Sequence, residues 1–190
     1  ALGMGVGPFT AHNLAGGNPI TQHGLTEMNT KIIPWYRSPN ILDDQVKSGK
    51  PWDTATRGEV VEYTPETYEA VSNRVIGAYF GMICEIVGSG ISNIGDLELA
   101  MDVGLVLNTP FAMMNKMGVK KALQLVEAYA KENPGFKIDD ILVKQTASGQ
   151  PWKIPVVFRE DKGEVAIVKI RRPKVLNALN ANVFEQLREI

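Results

Sequence analysis

The chain has 190 residues, 44% hydrophobic and 22% charged, with a formal net charge of −1. This is the composition of a globular protein with one or two domains and a real core. It offers no phosphate-neutralising stripe for a nucleic acid. The single cysteine, Cys84, excludes an intrachain disulfide and fits a reducing, cytoplasmic setting, and no run of 18 apolar residues marks a membrane span.

The first residues, ALGMG, carry no initiator Met and no basic flank or apolar core of a signal peptide, which reads as a processed or truncated start. GMGVGP over 3–8 has the glycines of a phosphate loop. No strand pattern precedes it, however, and Pro8 stands where the third glycine belongs, so a helix-initiating turn is expected. VGPFTAHNLAGG at 6–17 returns as NTPFAMMNKMGV at 108–119, with Pro8, Phe9, Asn13 and Gly16 matching Pro110, Phe111, Asn115 and Gly118. LDDQVK and SGKPW, at 42–47 and 48–52, return as IDDILVK and SGQPW at 138–144 and 148–152, in the same order. Two matches at nearly one offset point to a duplication of about 100 residues, too long for a solenoid and right for a repeated domain. The body of the first copy is then expected upstream of Ala1.

Residues 18–63 are rich in Gly, Pro and turn residues and read as a structured connector, anchored by Trp35, Tyr36 and Trp52. One short helix is expected at 39–48, with Ser38 as cap, Pro39 first and Gly49 as stop. The strongest helix begins at Thr64-Pro65, and its stripe from Val71 to Val87 is wide enough for a central helix buried on most sides. Further helices are expected at 95–103 behind Asn93, from Thr109-Pro110 to Gly118, at 119–132, and at 138–147. KIPVVF and GEVAIVKI form a hairpin around 154–170. RRPKVLNALN is a loop, and ANVFEQLREI starts an amphipathic helix that carries no stop signal.

His12, His23 and Cys84 do not cluster as metal ligands, and each reads as structural. Asn73, on the long helix, either hydrogen-bonds a ligand or braces a neighbour, because an amide is costly to bury unpaired. Arg74 pairs with a carboxylate or caps a neighbouring helix. Met113, Met114 and Met117 suit an irregular apolar surface, either an acyl-chain pocket or helix-exchange interface or plain core or subunit packing. Arg171, Arg172 and Lys174 surround Pro173 directly after a strand, an arrangement that holds phosphates or forms a solvated turn.

Asn73, Arg74, Glu85, Gly90, Asp96, Ala100, Gly104, Pro110, Phe111 and Gly118 together resemble the C-terminal helical domain of 3-hydroxyacyl-CoA dehydrogenases. GVGPFTAHNLAGG resembles the end of a preceding copy, and some members of that family carry two in tandem. Thr109 stands where the family often has Gly, and Asn13 and Asn115 where Asp is common, so the second copy is expected to have lost ligand contacts. VAIVKIRRPKVLNALNANVFEQL is similar to the opening of the enoyl-CoA hydratase (crotonase) family, through Arg172, Pro173, Asn177, Ala178 and Leu179.

These resemblances imply a mainly α fold with three parts. Residues 1–63 would be the tail of a first helical copy and a connector, 64–150 a second copy, and 151–190 the start of a crotonase-like α/β domain. The parent would be a bifunctional, NAD-dependent 3-hydroxyacyl-CoA dehydrogenase and enoyl-CoA hydratase of fatty-acid or short-chain acyl-CoA metabolism. Its catalytic His–Glu pair, NAD loop and oxyanion hole would lie outside this chain. Asn73 would be structural, and Arg172 and Lys174 would contact CoA phosphates. The chain alone is expected to bind neither cofactor and to be inactive. It would close the substrate cleft or supply a dimer surface, with the missing domains or a second subunit as its partners. The competing reading is a free-standing, non-enzymatic helical module that binds acyl-CoA or a protein.

Overall fold

A computed structural model describes every residue except Arg57. The described residues form nine α-helices and one two-stranded antiparallel sheet. The helices are α1 (Pro8–Ala15), α2 (Asn18–Lys31), α3 (Asn40–Ser48), α4 (Pro65–Gly88), α5 (Ile94–Leu99), α6 (Pro110–Met117), α7 (Val119–Glu132), α8 (Asp140–Ser148) and α9 (Ala181–Arg188). The strands are β1 (Val157–Lys162) and β2 (Val165–Ile170), paired with Val157 opposite Ile170.

The local chemistry explains most boundaries. Thr64 accepts from the Thr67 amide at 3.2 Å, and Pro65 opens α4. Asn93, Asp139 and Asn180 cap α5, α8 and α9 in the same manner. Gly49 and Gly149 end α3 and α8 at φ 64° and 66°, the left-handed conformation that glycine adopts without penalty. Two expectations are corrected. The N-cap of α3 is Pro39, and Ser38 instead donates its hydroxyl to Asp43 Oδ1 at 2.5 Å. The connector also contains a full helix, α2, which begins at an Asn-Pro and holds Gly24 and several Thr and Asn, residues of low helix propensity that masked it.

The core lies where α4 packs on α6, α7 and α8. Tyr79, Phe80, Ile83, Cys84, Phe111, Met114, Ala122, Val126, Leu142 and Trp152 fill it. Helix α4 is long enough and apolar enough to cross a bilayer by length and composition. Its buried residues all fall between Gly77 and Cys84, however, and Val71 and Val75 are exposed, so it is not covered on most sides as its stripe predicted. Trp35 anchors the connector as expected, its ring 5.0 Å from Phe136 and 6.1 Å from Tyr129.

The two halves of the repeat share one geometry. Helices α1, α2 and α3 have 8, 14 and 9 residues, and so do α6, α7 and α8. Asn13 donates to the Trp52 carbonyl at 2.9 Å and accepts from the Trp52 amide at 2.7 Å, and Asn115 makes the same two bonds to Trp152 at the same distances. Gln45 reaches the carbonyls of Lys50 and Pro51, and Gln145 those of Gln150 and Pro151. Phe9 lies against Trp52, and Phe111 against Trp152.

Close approach of α4 to α7 depends on Gly77, where an added methyl would sit 2.4 Å from the Leu125 carbonyl oxygen. Gly77→Ala should therefore lose about 1–3 kcal/mol, the usual cost of overpacking. Gly24, inside α2, has nothing within 4 Å of an added methyl, and Gly24→Ala should gain roughly 0.4–1 kcal/mol by restricting the unfolded chain. Urea midpoints of the two variants should move in opposite directions.

Candidate functional site

A cavity of about 420 Å³ lies between α5, the start of α6 and the loop after β2. One wall carries Glu98, Asp102 and Thr109, and the other Arg171, Arg172, Lys174 and Asn182.

The acidic wall is built from Asn93 onward. The Asn93 side chain accepts from the Asp96 amide at 2.9 Å and donates to Asp96 Oδ2 at 2.7 Å. Helix α5 then runs directly into a π-helical turn, Ala100–Gly104. Glu98 and Asp102 are four residues apart and share one face. Glu98 is only 8% exposed and accepts the Phe111 amide at 2.6 Å. Thr109, the N-cap of α6, makes no capping bond of its own, so a carboxylate from another helix meets the positive end of α6. Burial raises the Glu98 carboxyl above its ordinary value, against the pull of donors from Thr109, Phe111 and Ala112, while nearby Asp102 adds to the rise.

The basic wall comes from the hairpin and its exit loop. Phe158 packs on Gly95, where a side chain would collide with its ring, and the Arg171 guanidinium lies 4.2 Å over that ring. Arg171 also pairs with Asp96. Hydrogen bonds from Asn93 first, and then from Arg171, hold the Asp96 carboxyl below its usual range. Lys174 pairs with Asp102. Asp102 Oδ1 receives no well-directed hydrogen bond among the described residues, so this is a contact of charges. Arg172 turns inward on its own loop. Its amide donates to Asn177 Oδ1 at 2.7 Å, and its guanidinium donates to the Ala178 carbonyl.

Gln186 ties the start of the hairpin to α9. Its Oε1 accepts from the Val156 amide at 2.8 Å and the Val157 amide at 3.2 Å, and its amide nitrogen donates to the Ile154 carbonyl at 3.0 Å.

The expected phosphate contacts, Arg172 and Lys174, therefore line one cavity. Arg171, which the sequence reading grouped with them but did not assign, is the best fixed of the three. Glu98 and Asp102 were missed. Their signal was a pair of acids at helical spacing just before a Pro-Phe helix start. Asn73 lies elsewhere, half-buried beside a separate cavity of about 210 Å³. Its neighbour Arg74 pairs with the carboxylate of Glu132, the last residue of α7, at 2.8 Å, the first of the two alternatives for that arginine.

Cys84 is fully buried, and desolvation first, then Asp139, pushes its thiol up to about 12, so it is a core residue and not a nucleophile. His12 bonds Asn18 through Nδ1 at 2.8 Å, and His23 is exposed. No three metal-ligating side chains cluster among the described residues. Met114 is core, whereas Met113 and Met117 line an open cavity of about 540 Å³.

Comparison of the chain with protein families, with individual curated proteins and with solved structures finds no match.

The raised Glu98 carboxyl gives a pH prediction. A carboxyl whose folded value lies above its unfolded one, near 4.5, stabilises the fold most below that value. That contribution is lost as pH rises through the folded value. Glu98→Gln retains an acceptor for α6 but cannot ionise. Chemical denaturation from pH 4 to 7 should show the wild type losing stability relative to Glu98→Gln as pH rises. A difference that stays flat with pH would contradict the assignment.

Proposed function

We propose that the chain is an interior portion of a cytoplasmic bifunctional enzyme of acyl-CoA metabolism, a 3-hydroxyacyl-CoA dehydrogenase joined to an enoyl-CoA hydratase. In this reading α1–α3 belong to one dehydrogenase-type helical unit and α4–α8 to a second. The segment 151–190 opens the hydratase, with Arg172-Pro173 and Asn177-Ala178-Leu179 as its signature. The observation that carries the reading is the repeated three-helix geometry, with its matched Asn–Trp clamps, followed by a strand, a basic loop and a helix. A tandem helical domain ahead of a hydratase predicts that order.

The chemistry divides accordingly. In the complete enzyme NAD accepts the hydride from the 3-hydroxyacyl group, and CoA carries the thioester. Among the described residues the strands form only a hairpin, and the glycines at 3–8 follow no strand, so this chain's residues do not fit a dinucleotide cradle. A CoA phosphate fits better, because three cations border one open cavity. The chain's own part is to pack: α4–α8 brace the hydratase opening, and Asn73 is structural. The Met113 and Met117 surface is offered to the remaining domains or to a second subunit.

The purified chain should reduce no NAD with 3-hydroxybutyryl-CoA and hydrate no crotonyl-CoA. Turnover of either substrate would overturn the assignment of catalysis to other segments. The resemblance alone implies that the isolated chain binds neither cofactor; the cavity bordered by Arg171, Arg172 and Lys174 replaces that expectation for CoA. Calorimetry should therefore register CoA and not NAD, and the double variant Arg172→Ala/Lys174→Ala should weaken CoA binding about tenfold. CoA binding untouched by that variant would favour a free-standing helical acyl-CoA module instead.

A further inference from the structure

Two of the three cations in the cavity already have anions. Building on the reading of this loop as a CoA-phosphate contact, we infer that Asp102 is a stand-in anion. It holds Lys174 until a phosphate takes it, and the exchange releases the π-helical turn Ala100–Gly104 from the cavity wall.

The pair is unequal. The Lys174 side chain is 67% exposed and that of Asp102 only 13%. The lysine can follow an arriving phosphate, whereas the carboxylate has little contact with water where it stands. With Lys174 gone, Asp102 would keep a mostly covered carboxylate whose Oδ1 has no directed donor among the described residues, an arrangement proteins avoid. It would also face a second anion across the cavity. Moving Asp102 out removes both penalties.

The backbone under Asp102 is suited to that movement. It lies in a five-residue π turn, a geometry proteins use mostly as short interruptions at functional positions. Just beyond it, Val106 has φ 53°, an outlier for a β-branched residue. Val103, Leu105 and Val106 are exposed, so little packing opposes a shift. Four residues earlier, Glu98 is pinned to the α6 amides. The hinge therefore falls between Leu99 and Ala100. Arg171 stays in place, since Phe158 as well as Asp96 holds it. The coupling is reciprocal: a phosphate that loosens the turn is bound more tightly once the turn is loose.

Calorimetry with CoA, and separately with inorganic phosphate, tests the latch. Asp102→Asn should tighten CoA binding at least about fivefold. Lys174→Gln should weaken it. Asp44→Asn, which removes the same charge from an exposed position on α3, should leave it unchanged. Adding CoA to the unmodified chain should speed hydrogen exchange at the amides of residues 102–107. Binding by the wild type that Lys174→Gln weakens and Asp102→Asn does not tighten overturns the latch and leaves the CoA site standing. Slower exchange at 102–107 on CoA addition overturns it as well. Absence of CoA binding to both the wild type and Asp102→Asn overturns the CoA reading itself. Should Asp102→Asn fail to fold, exchange in the unmodified chain decides the question.

Discussion

The Glu98 carboxylate, buried against the first amides of α6, fixes where the other groups of the cavity sit. The amides at a helix start have no partner within the helix, and Thr109 leaves them uncapped. Glu98 supplies the acceptor from another element, with Phe111 N–H at 2.6 Å. That bond locks α5 to α6, and α6 in turn rests on α4 through Phe111 and Met114, both fully buried. The raised carboxyl reflects the cost of the arrangement, since burial outweighs the donors. Asp102 takes its position one turn further along the same face, and the hairpin closes on Gly95 at the base of the same helix. Removing the anchor would disturb the acidic wall and the seat of the basic loop together.

The repeat shows how much local sequence specifies alone. An Asn late in the first helix clamps both backbone polar groups of a Trp that follows the third, and a Gln–Ser pair ties the turn between them. Those residues recur, so the bonds recur. What does not recur is burial. Phe111 is 0% exposed and its counterpart Phe9 is 49% exposed, because α4 and α5 lie on the second unit. Side chains at matched positions follow suit. The first unit gathers His12, Asn18, Thr21 and Trp52 into a hydrogen-bonded cluster, with the Trp52 indole donating to Asn18 at 2.7 Å. The second gathers Met114, Val119, Ala122 and Trp152 into the core. With Val119 beginning α7 as Asn18 begins α2, the Trp152 indole N–H has no acceptor among the described residues.

Helix and hairpin positions were legible wherever caps and breakers carried the signal. Thr64-Pro65, Asn93, Gly118 and Gly49 each mark a boundary in a way a single residue can determine. Helix α2 was not legible by propensity, although its counterpart α7 was, and the repeat itself held the missing information. The exposure of the first turns of α4 was not legible either. A wide apolar stripe says that a surface is to be covered, but the covering element is a tertiary fact. The same limit applied to the cavity. The basic loop announced itself by composition, whereas Asp96, Glu98 and Asp102 looked like ordinary helix-surface acids. Only the folded arrangement brings them opposite cations more than 70 residues away, as with Arg171 and Asp96.

That opposition changes what a basic cluster means. Three cations on a loop suggest a free anion site, yet here Arg171 is held by Asp96 and Phe158, Lys174 by Asp102, and Arg172 by its own loop. An anion proposed for this cavity would have to displace an existing partner, so its affinity would depend on the difference between two anions and not on the cations alone. A phosphate dianion carries more charge and more acceptor oxygens than one carboxylate, which favours it wherever it can reach both Arg171 and Lys174. On the proposed CoA reading, selection for a multiply charged anion would come from the acids that line the cavity as much as from its bases.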